Sequence, residues 1–77
     1  MADIDRVREV IAGTFKLSPG SVRADAAMGT LTAWDSVGHV NLMMVIEQEF
    51  GIYLEVEDFA RLTSVKTIAD YLDQPQR

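Results

Sequence analysis

The chain has 77 residues, a net charge of −5, no cysteine and one histidine, which already excludes several kinds of protein. This length has room for a single domain, residues 1–77, and none for a separate catalytic lobe. The excess of acidic residues argues against nucleic acid as a partner, because phosphate binding depends on lysine and arginine. Without cysteine, any thiol chemistry requires a thiol brought in from outside the chain.

No segment of the sequence predicts secretion or membrane insertion. Residues 1–6 lack the basic start and apolar stretch of a signal peptide. The longest uninterrupted apolar run, residues 42–46, is far shorter than a bilayer span. We therefore expect a cytoplasmic protein, and we expect it to be a monomer.

The first predicted element is an amphipathic helix over residues 3–16, opened by Asp3. Its apolar residues recur at helical spacing in one stripe: Ile4, Val7, Val10, Ile11 and Phe15. Pro19-Gly20 interrupts the chain, and residues 18–35 then show no clear period. Because so long a connection is uncommon, we expect it to lie on the core and to contain a short helical turn. Its apolar residues are Val22, Ala26, Ala27, Met28 and Leu31.

The second predicted helix covers residues 35–50 and is apolar on most of its circumference. Asp35 or Ser36 can cap its N-terminus, and Gly51 suits a left-handed conformation at its C-terminus. We therefore expect this helix at the centre of a bundle. We expect Met43 and Met44 to fill the core, where the adaptable methionine side chain would also suit a bundle that opens.

One sector of the second helix is polar and is a candidate contact surface. At 100° per residue, Asn41 and Gln48 fall in this sector with Val45 in their midst. Val37 and Met44 flank the sector. An apolar residue on a polar face indicates contact with a partner, so these five side chains are candidate partner-binding residues.

Two shorter helices complete the predicted fold. The first covers residues 56–62, and the second covers Val65–Asp73, with Ser64 as its cap and Pro75 as its end. No stretch shows strand-like alternation. The sequence therefore predicts an all-α protein with three main helices, one short helix and a long first loop.

Negative charge is concentrated in the middle of the chain. No lysine or arginine lies between Arg23 and Arg61, where seven acids occur: Asp25, Asp35, Glu47, Glu49, Glu55, Glu57 and Asp58. This clustering favours electrostatic steering of basic partner proteins, with Glu57 and Asp58 as candidate contacts. A calcium-binding EF-hand is excluded because no stretch supplies its Asp-x-Asp-x-Asp-Gly loop.

The pair Asp35-Ser36 at a helix start has two interpretations. Both residue types cap helices, which for an isolated pair is the more frequent reason to find them there. Alternatively, Ser36 is a modification site, because a phosphate ester at this place would lie against free backbone N–H groups and the positive end of the helix dipole.

The surrounding residues favour the second interpretation, because residues 34–52 resemble the prosthetic-group segment of acyl carrier proteins. The elements shared with that family's motif are Asp35, Ser36, Val37, Glu47, Phe50, Gly51 and Ile52. The helix order, the long first loop and the acidic short helix also follow the family, so the resemblance covers nearly the whole chain. It implies a four-helix acyl-carrier-type bundle.

The resemblance also implies a carrier that is not itself an enzyme. A separate phosphopantetheinyl transferase would move 4′-phosphopantetheine from coenzyme A to Ser36, using its own magnesium, with Asp35 orienting the serine region. The thiol of the arm would hold an acyl group as a thioester for acyl-loading, condensing or transfer enzymes with basic docking surfaces.

Three positions at which the sequence departs from the family's usual pattern leave the pathway open. Fatty-acid-synthesis members usually carry acids at the positions of Asn41 and Gln48, and often at Gly38. A dedicated carrier for a polyketide or an unusual acyl chain is therefore expected, with an aminoacyl or peptidyl carrier, or an unmodified partner-binding domain, as alternatives.

We expect His39 at the solvated surface and Trp34 as a loop anchor. A hydrolase using Ser36 and His39 would lack a recognisable oxyanion site.

Overall fold

The computed structural model describes residues 4–73, which form four α-helices and one 3₁₀ turn. The helices are α1 (Ile4–Phe15), α2 (Ser36–Phe50), α3 (Val56–Arg61) and α4 (Val65–Asp73), and the turn covers Pro19–Ser21. Residues 4–73 contain no β-strand, and the predicted all-α architecture is confirmed. The predicted helix boundaries at Asp3 and Pro75 lie outside the described residues.

The end of α1 differs by one residue from the prediction. Lys16 adopts a left-handed backbone with φ 59° instead of continuing the helix. The N–H of Leu17 donates to the carbonyl of Ala12 (2.8 Å), and the N–H of Lys16 donates to that of Gly13 (3.3 Å). These two bonds are those of a Schellman motif. A lysine in this conformation carries a steric cost of about 1–2 kcal/mol, which glycine would avoid.

The core lies where α1 packs against α2 and α4. Within residues 4–73, fifteen buried apolar residues form it: Val7, Val10, Ile11, Ala12, Val22, Ala26, Trp34, Leu42, Met43, Ile46, Leu54, Leu62, Val65, Ile68 and Ala69. The predicted stripe of α1 is buried except at its ends, because Ile4 is exposed and Phe15 is half-buried. Each aliphatic side chain removed from water contributes about 1.5–3 kcal/mol before the entropy of ordering it.

The long loop lies on the core, as predicted, and is also bonded to the junction of α3 and α4. Val22 and Ala26 are buried and Leu31 is half-buried, but Met28 is exposed, contrary to the prediction. The N–H of Met28 donates to the Thr63 carbonyl (2.7 Å), and the N–H of Val65 donates to the Ala26 carbonyl (3.0 Å). These two bonds fix the loop beside the start of α4.

The second helix, α2, was expected at the centre of the bundle, and it contributes to the core along one side only. His39, Leu42, Met43 and Ile46 face the interior, but the opposite side of the helix is open to solvent. The short α3 that follows has no fully buried residue, although Phe59 packs against the core. Among the helices of residues 4–73, none combines the length and apolar character needed to cross a membrane.

Candidate functional site

The candidate site is the N-terminus of α2, where Asp35 is the N-cap and Ser36 is the first helical residue. Asp35 has extended backbone angles, and its Oδ1 accepts from the N–H of Gly38 at 2.8 Å. Of the two predicted caps, Asp35 therefore performs this role. The side chain of Ser36 is exposed, and its hydroxyl forms no hydrogen bond within residues 4–73.

The first turn of α2 presents backbone donors beside the Ser36 hydroxyl. The N–H groups of Gly38 and His39 are bonded to Asp35, the first to its side chain and the second to its carbonyl at 2.7 Å. Those of Ser36 and Val37 have no acceptor in the described part of the chain. With the positive end of the helix dipole, two free donors favour a negatively charged group on the serine.

Trp34 anchors the loop immediately before the cap, as predicted, and it is fully buried. Its N–H donates to the carbonyl of Leu31, and its carbonyl accepts from the N–H of Gly29, each at 3.0 Å. Its indole lies 6.3 Å, centroid to centroid, from the ring of Phe15 on α1. Trp34 thus sets the position of Asp35 and Ser36, and it is itself held by its backbone hydrogen bonds and by the contact of its ring with Phe15.

The expectation that His39 lies at the solvated surface is wrong, because the residue is only 6% exposed. Nδ1 lies 2.9 Å from the indole Nε1 of Trp34, and Nε2 lies 2.6 Å from the carbonyl oxygen of Phe59 on α3. Since both ring nitrogens are engaged, His39 has no free nitrogen to act as a base for Ser36. This geometry argues against a hydrolase.

The outward face of α2 carries most of the predicted partner-binding residues. Val37, Asn41, Met44 and Gln48 are exposed, at 81% for Val37 and 52% for Met44. Met44 is therefore not core filler, whereas Met43 is buried as predicted. Sequence reasoning missed Val40, which is also exposed on this helix, although its spacing of three residues from Val37 could have revealed it.

The helical projection predicted Val45 at the centre of the exposed polar sector, but Val45 does not lie there. It is half-buried against the core and lines a groove of about 410 Å³ together with Val10, Gly13 and Thr14 of α1. The groove lies between antiparallel helices, and a projection of α2 alone contains no information on where α1 lies. The exposed apolar residues of α2 are instead Val37, Val40 and Met44.

Several of the clustered acids have partners within the fold. Glu49 pairs with Arg6 at 2.6 Å. The Glu47 carboxylate accepts from the N–H of Leu54 at 2.8 Å, and the Glu47 carbonyl accepts from the N–H of Gly51, which has the predicted left-handed backbone. Glu47 therefore shapes the turn that ends α2. In the long loop, a hydrogen bond from Arg23 and its charge lower the pKa of Asp25.

The two acids of α3 have different surroundings. Asp58 is half-buried and accepts from the N–H of Glu55 at 2.9 Å and from the Tyr71 hydroxyl at 3.4 Å. Burial, and then the charge of Asp58, raise the pKa of Tyr71. Glu57 is exposed and is the better placed of the two to meet a partner. Residues 4–73 contain no group of three His, Cys, Asp or Glu side chains that could hold a metal ion.

Comparison with known proteins finds matches over nearly the whole chain. The sequence model of the family described as "Phosphopantetheine attachment site" matches residues 5–72. The chain is 31% identical over 74 residues to the acyl carrier protein of Bdellovibrio bacteriovorus, covering 96% of this chain and 95% of that protein. It is 32% identical over 75 residues to acyl carrier protein 2 of Pseudomonas aeruginosa, with the same two coverages.

Proposed function

Because the chain belongs to the acyl carrier protein family, we propose that it carries an acyl intermediate on a 4′-phosphopantetheine arm attached to Ser36. Proteins of this family are carriers that interact with enzymes and do not catalyse the reactions of their cargo. Their prosthetic group is covalently attached phosphopantetheine. When bound, the arm supplies a thiol that holds the acyl group as a thioester, and this chain has no cysteine to do so.

The exposed hydroxyl of Ser36 is the observation that supports this proposal most strongly. It lies at the first position of α2, no hydrogen bond of the described chain occupies it, and the N–H groups of Ser36 and Val37 are free beside it. A phosphodiester there would meet donors that no other group satisfies. The residues present therefore fit the phosphate end of the arm.

A separate phosphopantetheinyl transferase would supply the arm from coenzyme A. In this proposal Asp35 orients the serine, because its carboxylate caps the helix through Gly38 and thereby fixes the first turn. The transferase brings its own magnesium. Residues 1–77 would act as a single, monomeric carrier domain in the cytoplasm.

Partner enzymes would dock on the outward face of α2, next to the arm. Residues 36–46 carry no acidic or basic side chain apart from His39, which is buried. The exposed Val37, Asn41, Met44 and Gln48 therefore offer an uncharged surface, with the half-buried Val45 at its border. Buried apolar contacts contribute most of the binding energy at such a surface, while Glu57 and Asp58 would steer basic partners.

The uncharged face supports a dedicated carrier over a housekeeping one. A partner that recognises acids at the positions of Asn41 and Gln48 would meet neutral amides here. Partners of this chain would instead present an apolar centre with basic residues at its edge. Acyl-loading, condensing or transfer enzymes of a polyketide or unusual acyl pathway are the expected class.

Intact-mass measurement after incubation with coenzyme A and a transferase tests the proposal. The wild-type protein should gain one phosphopantetheinyl group, and Ser36→Ala should gain none while keeping its helical circular dichroism, because Asp35 remains as the cap. Ser21→Ala, at an exposed serine of the long loop, is the matched control and should be modified like the wild type. Modification of Ser36→Ala would refute the assignment.

A further inference from the structure

The donor and acceptor chemistry around His39 fixes its protonation state. The indole nitrogen of Trp34 can only donate, and the carbonyl oxygen of Phe59 can only accept. Nδ1 must therefore be the bare acceptor, at 2.9 Å from the indole nitrogen, and Nε2 must carry the proton, at 2.6 Å from the carbonyl. His39 is thus a neutral Nε2–H tautomer, and its two ring nitrogens link Trp34 to Phe59 of α3.

At one edge, His39 supplies a donor to the end of α3. Phe59 lies in the last turn of this six-residue helix, where carbonyl groups lack a partner within the helix. No residue of α3 is fully buried, and of its three apolar side chains only that of Phe59 packs against the core, while Val56 and Ala60 are exposed. A bond from a buried histidine is therefore a substantial part of what seats α3 on α2.

At the other edge, His39 holds the indole of the residue that precedes the cap. The rings of Trp34 and His39 lie 6.2 Å apart and are inclined by 23°. The backbone of Trp34 is bonded to Leu31 and Gly29, and its carbonyl carbon joins directly to Asp35. A change in the indole position therefore reaches the start of α2, where Ser36 lies.

We propose that His39 is a positioning residue that couples the seating of α3 to the Trp34–Ser36 segment. Withdrawal of the Phe59 carbonyl leaves the Nε2–H without an acceptor in its buried site, which favours a shift of the ring and weakens its bond to Trp34. A partner enzyme that displaces α3 would in this way alter the presentation of Ser36. The effect on arm transfer rests on the proposed function, whereas the coupling between α3 and Trp34 does not.

The coupling can be tested with nuclear magnetic resonance, because the chain has one tryptophan and one histidine. The ¹⁵N signals of His39 should show a bare Nδ1 and a protonated Nε2. Ala60→Gly, at an exposed position of α3, weakens this helix without touching His39. It should shift the indole N–H resonance of Trp34, and the matched change Glu9→Gly on α1 should not.

Ala60→Gly should no longer shift the indole resonance of Trp34 once the hydrogen bonds of His39 are removed. In His39→Phe, which removes both bonds, Ala60→Gly should leave the indole resonance where His39→Phe alone puts it. His39→Gln retains a donor and an acceptor and should restore the response at least in part. If His39→Phe does not fold, the response of the indole resonance to Ala60→Gly in the wild type and in His39→Gln still tests the coupling.

The arm-transfer rate provides an independent readout. His39→Phe should lower kcat/KM for arm transfer about fivefold, the equivalent of the lost hydrogen bond to Trp34, and His39→Gln should recover most of it. An unchanged indole resonance in Ala60→Gly, or an equal shift in the His39→Phe background, would overturn the coupling. If even the wild type accepts no arm, the proposed function fails while the resonance results still test the coupling.

Discussion

Replacing Gly38 by alanine should destabilise the fold, although the same change at an open helical position stabilises it. A Cβ on Gly38 would overlap the carbonyl oxygen of Ala33 and would lie 3.0 Å from Cε1 of Phe15. The loop before Ser36 must therefore move away from α2 to admit one methyl group. Gly13 in α1 is the matched control, since no other described segment comes within 4 Å of the equivalent Cβ.

The two substitutions should have opposite signs. Alanine is favoured over glycine by about 1 kcal/mol in an open helical position, and this gain is expected at Gly13. At Gly38 the overlapping atom belongs to the backbone, so the upper part of the range of about 1–3 kcal/mol for overpacked sites applies. The net change is a loss of about 1–2 kcal/mol. For a domain of this size, each kcal/mol shifts Tm by about 4–8 °C.

Thermal unfolding followed by far-ultraviolet circular dichroism measures both changes. Gly13→Ala should raise Tm by several degrees, and Gly38→Ala should lower it by at least as much. Gly38→Ala should also shift the indole N–H resonance of Trp34, because the displaced segment includes it. A Tm for Gly38→Ala at or above that of the wild type would refute the inference that close approach of Ala33 holds the start of α2.

Three further predictions concern the end of α1, the hydrogen bond between Tyr71 and Asp58 of α3, and the docking face of α2. Lys16→Gly should raise the free energy of unfolding by about 0.5–1 kcal/mol because it relieves a left-handed lysine, and Lys16→Ala should not. Tyr71→Phe should be less stable than the wild type at neutral pH. Because the folded pKa of Tyr71 is raised, this difference in stability should disappear as the pH rises above about 10. A difference in stability that does not change with pH would contradict the hydrogen bond to Asp58. Met44→Ala should lower kcat/KM of a cognate loading enzyme about fivefold or more at any salt concentration. Glu57→Gln should act mainly on the association rate and only at low salt; a larger loss from Glu57→Gln at physiological salt would move the docking surface to α3.

The sequence predicted the elements that depend on local signals. Asp35 caps α2 because a carboxylate one residue before the helix can reach the N–H of the third helical residue, and Gly51 ends it because glycine tolerates the left-handed backbone. The Ser64 hydroxyl accepts from the N–H of Thr67, so the cap of α4 also formed where the residue type indicated. Trp34 was expected to anchor the loop for a similar reason, since a large apolar ring beside a cap has little alternative to packing on the helix start.

The errors arose where a second element decides the environment of a side chain. His39 is polar and one turn into α2, and only the paths of the long loop and α3 show that it is buried. Val45 and Met44 are adjacent in the chain, and the position of α1 determines that the first is half-buried and the second exposed. Glu47 lies within the acidic cluster, yet it bonds to the turn that follows its own helix. Contacts over such distances along the chain leave no periodic trace in the sequence.

Mass spectrometry of the protein purified from its own cells is the most direct test of the carrier function. Fragmentation should locate one phosphopantetheinyl group on Ser36, and a fraction of the molecules should carry an acyl group that is released by hydroxylamine, as a thioester is. The mass of that group would identify the cargo. A protein whose Ser36 is unmodified in its own cells, or whose arm lies on another residue, would contradict the proposed function.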